Sequence, residues 1–129
     1  MADLDHLALL LSDVDEWNQW RAENGQVIPD LSGADLSGAN LSLANLADAN
    51  LSRATLVMAN LEGADLRWAD LSNANLVGAR LIGVEIEEAN LRGADLQTAE
   101  DLLQEQVDTA YGDGETKLPP GIERPASWQ

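Results

Sequence analysis

The stretch PDLSG ADLSG ANLSL ANLAD ANLSR ATLVM ANLEG ADLRW ADLSN ANLVG ARLIG VEIEE ANLRG ADLQT, residues 29–98, decides the fold. Leucine recurs every five residues from Leu31 to Leu96, with Ile86 as the one departure. Two places before each centre stands alanine, from Ala34 to Ala94, except Val84 and the opening Pro29. Asp or Asn precedes the centre everywhere but at Thr55, Arg80 and Glu85, and the last two positions vary. On an α-helix a step of five advances about 140° net, so the leucines would spiral around the surface. On a straight strand an odd period sends them alternately to opposite faces. Neither element buries them all. A chain that turns a corner every five residues does.

Four such sides make a coil of twenty residues, and coils stack at the inter-strand spacing. The fourteen pentads give three and a half coils, a rod of roughly 17 Å at ~4.8 Å per coil. Leucine then fills the axis, each side chain contributing ~1.5–3 kcal/mol on burial. Alanine faces inward near the corners, where a larger group would collide with the leucine layer. Asp and Asn suit the bend because their short side chains bond nearby backbone groups. Glycine at the last position (Gly33, Gly38, Gly63, Gly78, Gly83, Gly93) fits a positive φ, as in type II turns. Arg53, Met58, Trp68 and Glu88 hold that place elsewhere, and those corners are expected to use another turn type. Uniform spacing without insertion leaves no loop pocket in the solenoid.

The ends differ in kind. Residues 4–23 place Leu4, Leu7, Leu11, Val14 and Trp17 at helical spacing, and Ser12 with Asp15 reads as a capping box that kinks or restarts the helix. Asn24-Gly25 is a stop signal. After Ala99 the period fails, and residues 102–110 read as a short helix closed by Gly112, followed by a Pro-rich tail. Three regions follow: 1–29, a capping helix and entry segment; 30–99, the solenoid; and 100–129, a helix and extended tail. Terminal coils expose leucine layers and open backbone edges, so both helices are expected to act as lids. Trp17, Trp20 and Trp128 are then packing anchors.

The repeat block resembles the bacterial pentapeptide-repeat family, whose A-(D/N)-L-x-x pattern stands here as ADLSG, ANLVG and ANLRG. The flanking segments WNQWRAEN and EQVDTAYGDGETKLPPGIERPASW are similar to those of small bacterial members, many of them cyanobacterial. The resemblance implies an all-β solenoid, a right-handed quadrilateral β-helix, here with α-helical caps at its N- and C-terminal ends. It implies little about activity. The best-understood members protect or inhibit DNA gyrase by presenting an acidic rod shaped like duplex DNA. They have longer solenoids, often dimeric, with aromatic residues frequent at the centres. This chain has no Phe, and its centres are all aliphatic.

Net charge is −16, shared almost evenly as −5, −6 and −5 among residues 1–29, 30–99 and 100–129. Such acidity argues against direct nucleic-acid binding, which needs clustered Lys and Arg. It serves solubility. Sorted by side, the wall centred on Leu46, Leu66 and Ile86 gathers Asp48, Asp65, Glu85, Glu87 and Glu88, relieved by Arg67. Duplex DNA carries one charge per ~1.7 Å, and this wall reaches about half that density on one side only. A second side, centred on Leu36, Leu56, Leu76 and Leu96, sets Val57 above Val77 beside Met58, with Leu43 and Ile82 on adjoining sides. Apolar residues outward and in register are unusual on a polar repeat. Either the tail folds over them, with Leu118 and Ile122 as the cover, or they are a partner or dimer contact. The tail is the preferred cover.

Catalysis finds little support. His6 is the sole histidine and there is no cysteine, so no metal pair or activated nucleophile is at hand. The carboxylates of Glu87 and Glu88 lie on a convex wall, where water is not excluded. The GGxGxD turns of calcium β-rolls are missing. No cofactor or metal site is expected. No stretch approaches the ~20 apolar residues of a membrane span, and the acidic first residues do not read as a secretory signal. The expectation is a cytoplasmic, non-catalytic scaffold, monomer or weak dimer, that meets an unknown protein partner. An acidic DNA mimic directed at gyrase is the alternative.

Overall fold

The computed structural model describes residues 1–128. Two helices open the chain, α1 (Leu4–Ser12) and α2 (Val14–Glu23). A four-sided coil follows, and a one-turn helix, α3 (Gln104–Val107), interrupts its last circuit.

Each side of the coil pairs with the next through one parallel bridge, and the partner lies twenty residues on, from Asp30 with Asn50 to Arg80 with Glu100. Leu31, Leu46, Leu51, Leu56 and Leu61 are wholly buried on the axis, with Ala44, Ala49 and Ala59 wholly buried beside the corners. Val84 and Ile86 are accommodated in the same core, at 3% and 4% exposure. The Asp/Asn position acts as expected: Asp35 Oδ1 accepts from Ser37 N at 3.0 Å, Asn60 Oδ1 from Glu62 N at 3.0 Å and Asp70 Oδ1 from Ser72 N at 2.9 Å. These bonds hold the backbone just ahead of each corner.

The corners correct one expectation. All of them from Gly33 to Gly93 have positive φ, including Leu43, Asp48, Arg53, Met58, Trp68, Asn73 and Glu88, at 58–63°. Non-glycine corners therefore use the same turn as glycine ones. Left-handed backbone costs an L-residue about 1–2 kcal/mol. The stack requires it nonetheless, because every corner closes a turn bond such as Ala59 N to Leu56 O (3.0 Å). Each non-glycine corner also donates its own N–H to a carbonyl of the next coil, as Met58 N does to Val77 O (2.9 Å). Losing two backbone bonds outweighs one strained φ.

The flanks depart further from the sequence expectation. Asp13, not Ser12, caps α2: its carboxylate accepts from Asp15 N at 2.8 Å and Glu16 N at 3.4 Å, with φ −167° breaking the helix. Ser12 Oγ instead donates back to Leu9 O at 2.8 Å. The break shifts the helical phase. Leu10 is buried, while Leu4 and Leu11 are 73% and 51% exposed. At the other end, bridges continue beyond Ala99: Tyr111 pairs with Asn90 and Lys117 with Asp95. Spacing lengthens from twenty to twenty-one and twenty-two residues, so the last circuit is irregular but still a circuit. The helix expected over 102–110 is confined to α3, which stands where a partner for Glu85 would lie.

Candidate interaction surfaces

At the N-terminal end, α1 and α2 bring side chains to the open edge of the first coil. Trp17 is wholly buried, and its Nε1 donates to Asn45 O at 2.8 Å. Asn18 accepts from Asn45 N at 2.7 Å and donates to Leu43 O at 3.0 Å. Arg21 donates to Ala47 O at 2.7 Å and Val27 O at 3.0 Å. Burial lowers the Arg21 pKa, against the raising influence of Asp48 and Asp65. His6 Nδ1 accepts from Asp30 N at 3.1 Å, and Asp3 N donates to Asp30 O at 2.8 Å. Trp20 packs between the rings of His6 and Trp17, at 5.1 and 5.2 Å. Those to Asp30, Asn45 and Ala47 are hydrogen bonds that a preceding coil would otherwise make.

At the far end the tail crosses the last circuit. Trp128 is buried against Gly112, with Nε1 donating to Ala110 O at 3.1 Å. Arg124 Nη2 donates to Thr116 O at 2.5 Å, and Glu123 N to Gln104 Oε1 at 2.8 Å. Leu118 and Ile122 pack on the core cluster. The preferred cover for Val57 and Val77 is therefore corrected: the tail's bonds go to the terminal circuit, and the valines stand half-buried without it.

The acidic wall is interleaved with donors. Arg67 reaches Asp65 at 2.8 Å and Glu85 at 3.4 Å, and its guanidinium lies 5.2 Å from the Trp68 ring centre. The hydrogen bond from Arg67 is the main cause of a lowered Asp65 pKa, and Asp65 in turn raises that of Arg67. Trp68 Nε1 donates to Glu88 Oε2 at 2.9 Å, one coil away. Asp48 and Glu87 face solvent. On the neighbouring side Arg80 pairs with Glu62 at 3.5 Å.

The apolar strip consists of Met58, 63% exposed, with half-buried Val57 and Val77 on its own side, and Ile82, 53% exposed, on the adjoining side that also carries the Arg80–Glu62 pair. The structure does not join the strip to the acidic wall; they lie on different sides. Sequence reasoning missed the N-terminal edge contacts. The signal for them was the excess of donors, Trp17, Asn18 and Arg21, on one helix beside an end that needs partners. Among the described residues, no group of three His, Cys, Asp or Glu side chains is placed to hold a metal. Nor is any helix among the described residues long and apolar enough to cross a membrane.

This geometry defines a four-sided parallel β-solenoid built from five-residue repeats. The pentapeptide-repeat family model matches residues 30–67 and 59–97, with eight copies. Among solved structures, the chain is similar to the pentapeptide repeat protein Rfr23 of Cyanothece 51142: 36% identity, 78% of this chain, 60% of that one, TM-score 0.54. It also matches a pentapeptide repeat protein of Nostoc Pcc 7120 at 30% identity over 81% of this chain and 86% of that one, TM-score 0.41. A third match, from the thylakoid lumen of Arabidopsis thaliana, has 33% identity over 70% and 58% of the two chains, TM-score 0.27. No curated protein matches. The chain belongs to the pentapeptide-repeat family, and its coil is accordingly the right-handed quadrilateral β-helix of that family. It spans 60% of the length of the Cyanothece relative.

Proposed function

We propose that this chain is a non-catalytic interaction scaffold that docks a protein partner along the strip of Val57, Met58, Val77 and Ile82. One observation carries the reading: Met58 and Ile82 stand more than half exposed at outward positions of the repeat. Exposed apolar side chains on adjoining sides of a rigid rod suit a protein contact better than a solvated face. The non-catalytic part is supported by family membership and by His6, whose Nδ1 already accepts a backbone N–H.

A DNA mimic directed at gyrase is not favoured. Asp65, Glu85 and Glu88 are already engaged by Arg67 and Trp68, which leaves a wall with alternating donors in place of a phosphate-like row. The test is capture from host lysate with wild type and a Met58→Glu/Ile82→Glu double variant of unchanged thermal midpoint. A partner retained by wild type and lost by the variant supports the strip. Equal retention by both would remove it.

A further inference from the structure

The N-terminal helices complete only part of the first coil's edge. They satisfy Asp30, Leu43, Asn45 and Ala47. Between these points, Asp35 N–H and C=O, Ser37 C=O, Asn40 N–H and C=O, and Ser42 C=O receive no protein hydrogen bond among the described residues, and of these only the Asn40–Ser42 stretch lines a groove. The equivalent atoms one coil on show what this edge accepts. Asn60 N donates to Ala39 O at 2.9 Å, Asn60 O accepts from Leu41 N at 2.8 Å, and Glu62 O accepts from Leu43 N at 2.9 Å. A parallel extended segment laid on Asn40 would offer the same groups: a carbonyl, then two N–H donors on alternate residues.

The edge is also the floor of a groove. Its opposite wall is the break between α1 and α2, from Leu10 to Asp15, and its lip is Leu43. Leu11 and Leu43 are 51% and 70% exposed, with Val14 half-buried between them. Asp13 and Asp15 add negative charge, and no basic residue lines the groove. Open backbone donors and acceptors call for a strand. The apolar lips call for small aliphatic side chains on one of its faces, and the carboxylates call for Lys or Arg on the other.

We infer that this groove binds an extended, Lys- or Arg-bearing peptide segment of another protein, which adds a parallel strand to the Asn40–Ser42 edge. The site is separate from the Met58–Ile82 strip, and either can fail while the other stands. A lysine-bearing peptide is attracted to any protein this acidic, so the test must isolate the backbone ladder from charge.

The probe is a short acetylated and amidated peptide alternating lysine with valine, compared with the same peptide N-methylated at alternate residues. N-methylation removes the N–H donors and keeps every charge. The expected result is saturable binding to the full chain that protects the Asn40 amide from hydrogen exchange. Affinity should fall on the order of tenfold for the methylated peptide. A Leu11→Asp variant, altered at an exposed position, should also weaken binding while leaving the thermal midpoint unchanged. Equal affinity of the two peptides, protection centred on Asp48 and Glu87, or no binding would each overturn the inference. So would Asn40 protection that rises with protein concentration alone, which would make the occupant a second copy of this chain.

Discussion

Met58 runs along the rod axis and lays its Sδ in the space that a Cβ on Gly78, the corner one coil further on, would occupy. Leu43 does the same over Gly63, with Cδ2 2.8 Å from such a Cβ, and Asn73 over Gly93. In three of the four corner columns a larger corner residue thus leans on the glycine stacked beneath it, and the fourth, Asp48, Trp68 and Glu88, holds no glycine.

The consequence for Gly78→Ala is modest. Met58 has a flexible tip that can swing aside, so the loss is chiefly that of a left-handed alanine, about 1–2 kcal/mol. Gly112→Ala should cost more, although Gly112 is not at positive φ. There the added methyl meets the rigid, buried Trp128 ring, and moving it breaks the bond to Ala110 O. Overpacking of that kind costs about 1–3 kcal/mol before the lost bond is counted. Thermal denaturation of the two variants should rank Gly112→Ala below Gly78→Ala. The reverse order would mean that Trp128 is not firmly seated.

Asp65→Asn should reveal a pH-dependent contribution. Hydrogen bonding from Arg67 holds the folded Asp65 pKa below its ordinary value. A depressed carboxyl pKa contributes stability above the unfolded value, about 3.9, which is lost as pH falls through the lower folded value. The midpoint difference between wild type and Asp65→Asn should therefore be full at neutral pH and shrink steadily below about pH 4. A difference independent of pH would mean that the Asp65–Arg67 pair is not formed in solution.

How much of this was legible in the sequence depends on which force places each residue. Leu31 to Leu96 and their alanines announce the coil because a five-residue period has no other way to bury them. Counting by twenty correctly grouped Asp65, Arg67 and Glu85 on one side, since the ladder fixes the register. The corners at Arg53, Met58 and Glu88 were misjudged because local propensity argues against left-handed backbone there, and stacking overrides it. The bond from Trp68 to Glu88 depends on side chains pointing along the rod, a direction that residue spacing does not encode. Nor did helical periodicity reveal Leu10, because the Asp13 cap breaks the phase that the pattern assumed.

The last prediction concerns the N-terminal edge. Asn18 fills two roles with one amide, accepting from Asn45 N and donating to Leu43 O. Asn18→Leu keeps the size and removes both bonds, leaving the partly buried Asn45 N–H and the exposed Leu43 C=O without their partner. Each such loss costs about 1–3 kcal/mol where water cannot replace the partner. Here the edge is partly solvated, so a total near the low end, about 1–2 kcal/mol, is expected. The more telling readout is association. With its N–H released, Asn45 adds a donor to the open groups at Asn40 and Ser42, which favours edge-to-edge pairing between copies. Sedimentation velocity of Asn18→Leu should show concentration-dependent growth beyond that of wild type. Trp17→Phe, which frees only Asn45 O and keeps the ring in place, should destabilise without that growth, since a lone carbonyl cannot template a strand. Equal association by both variants would place the protective role in the bulk of α2 and not in its hydrogen bonds.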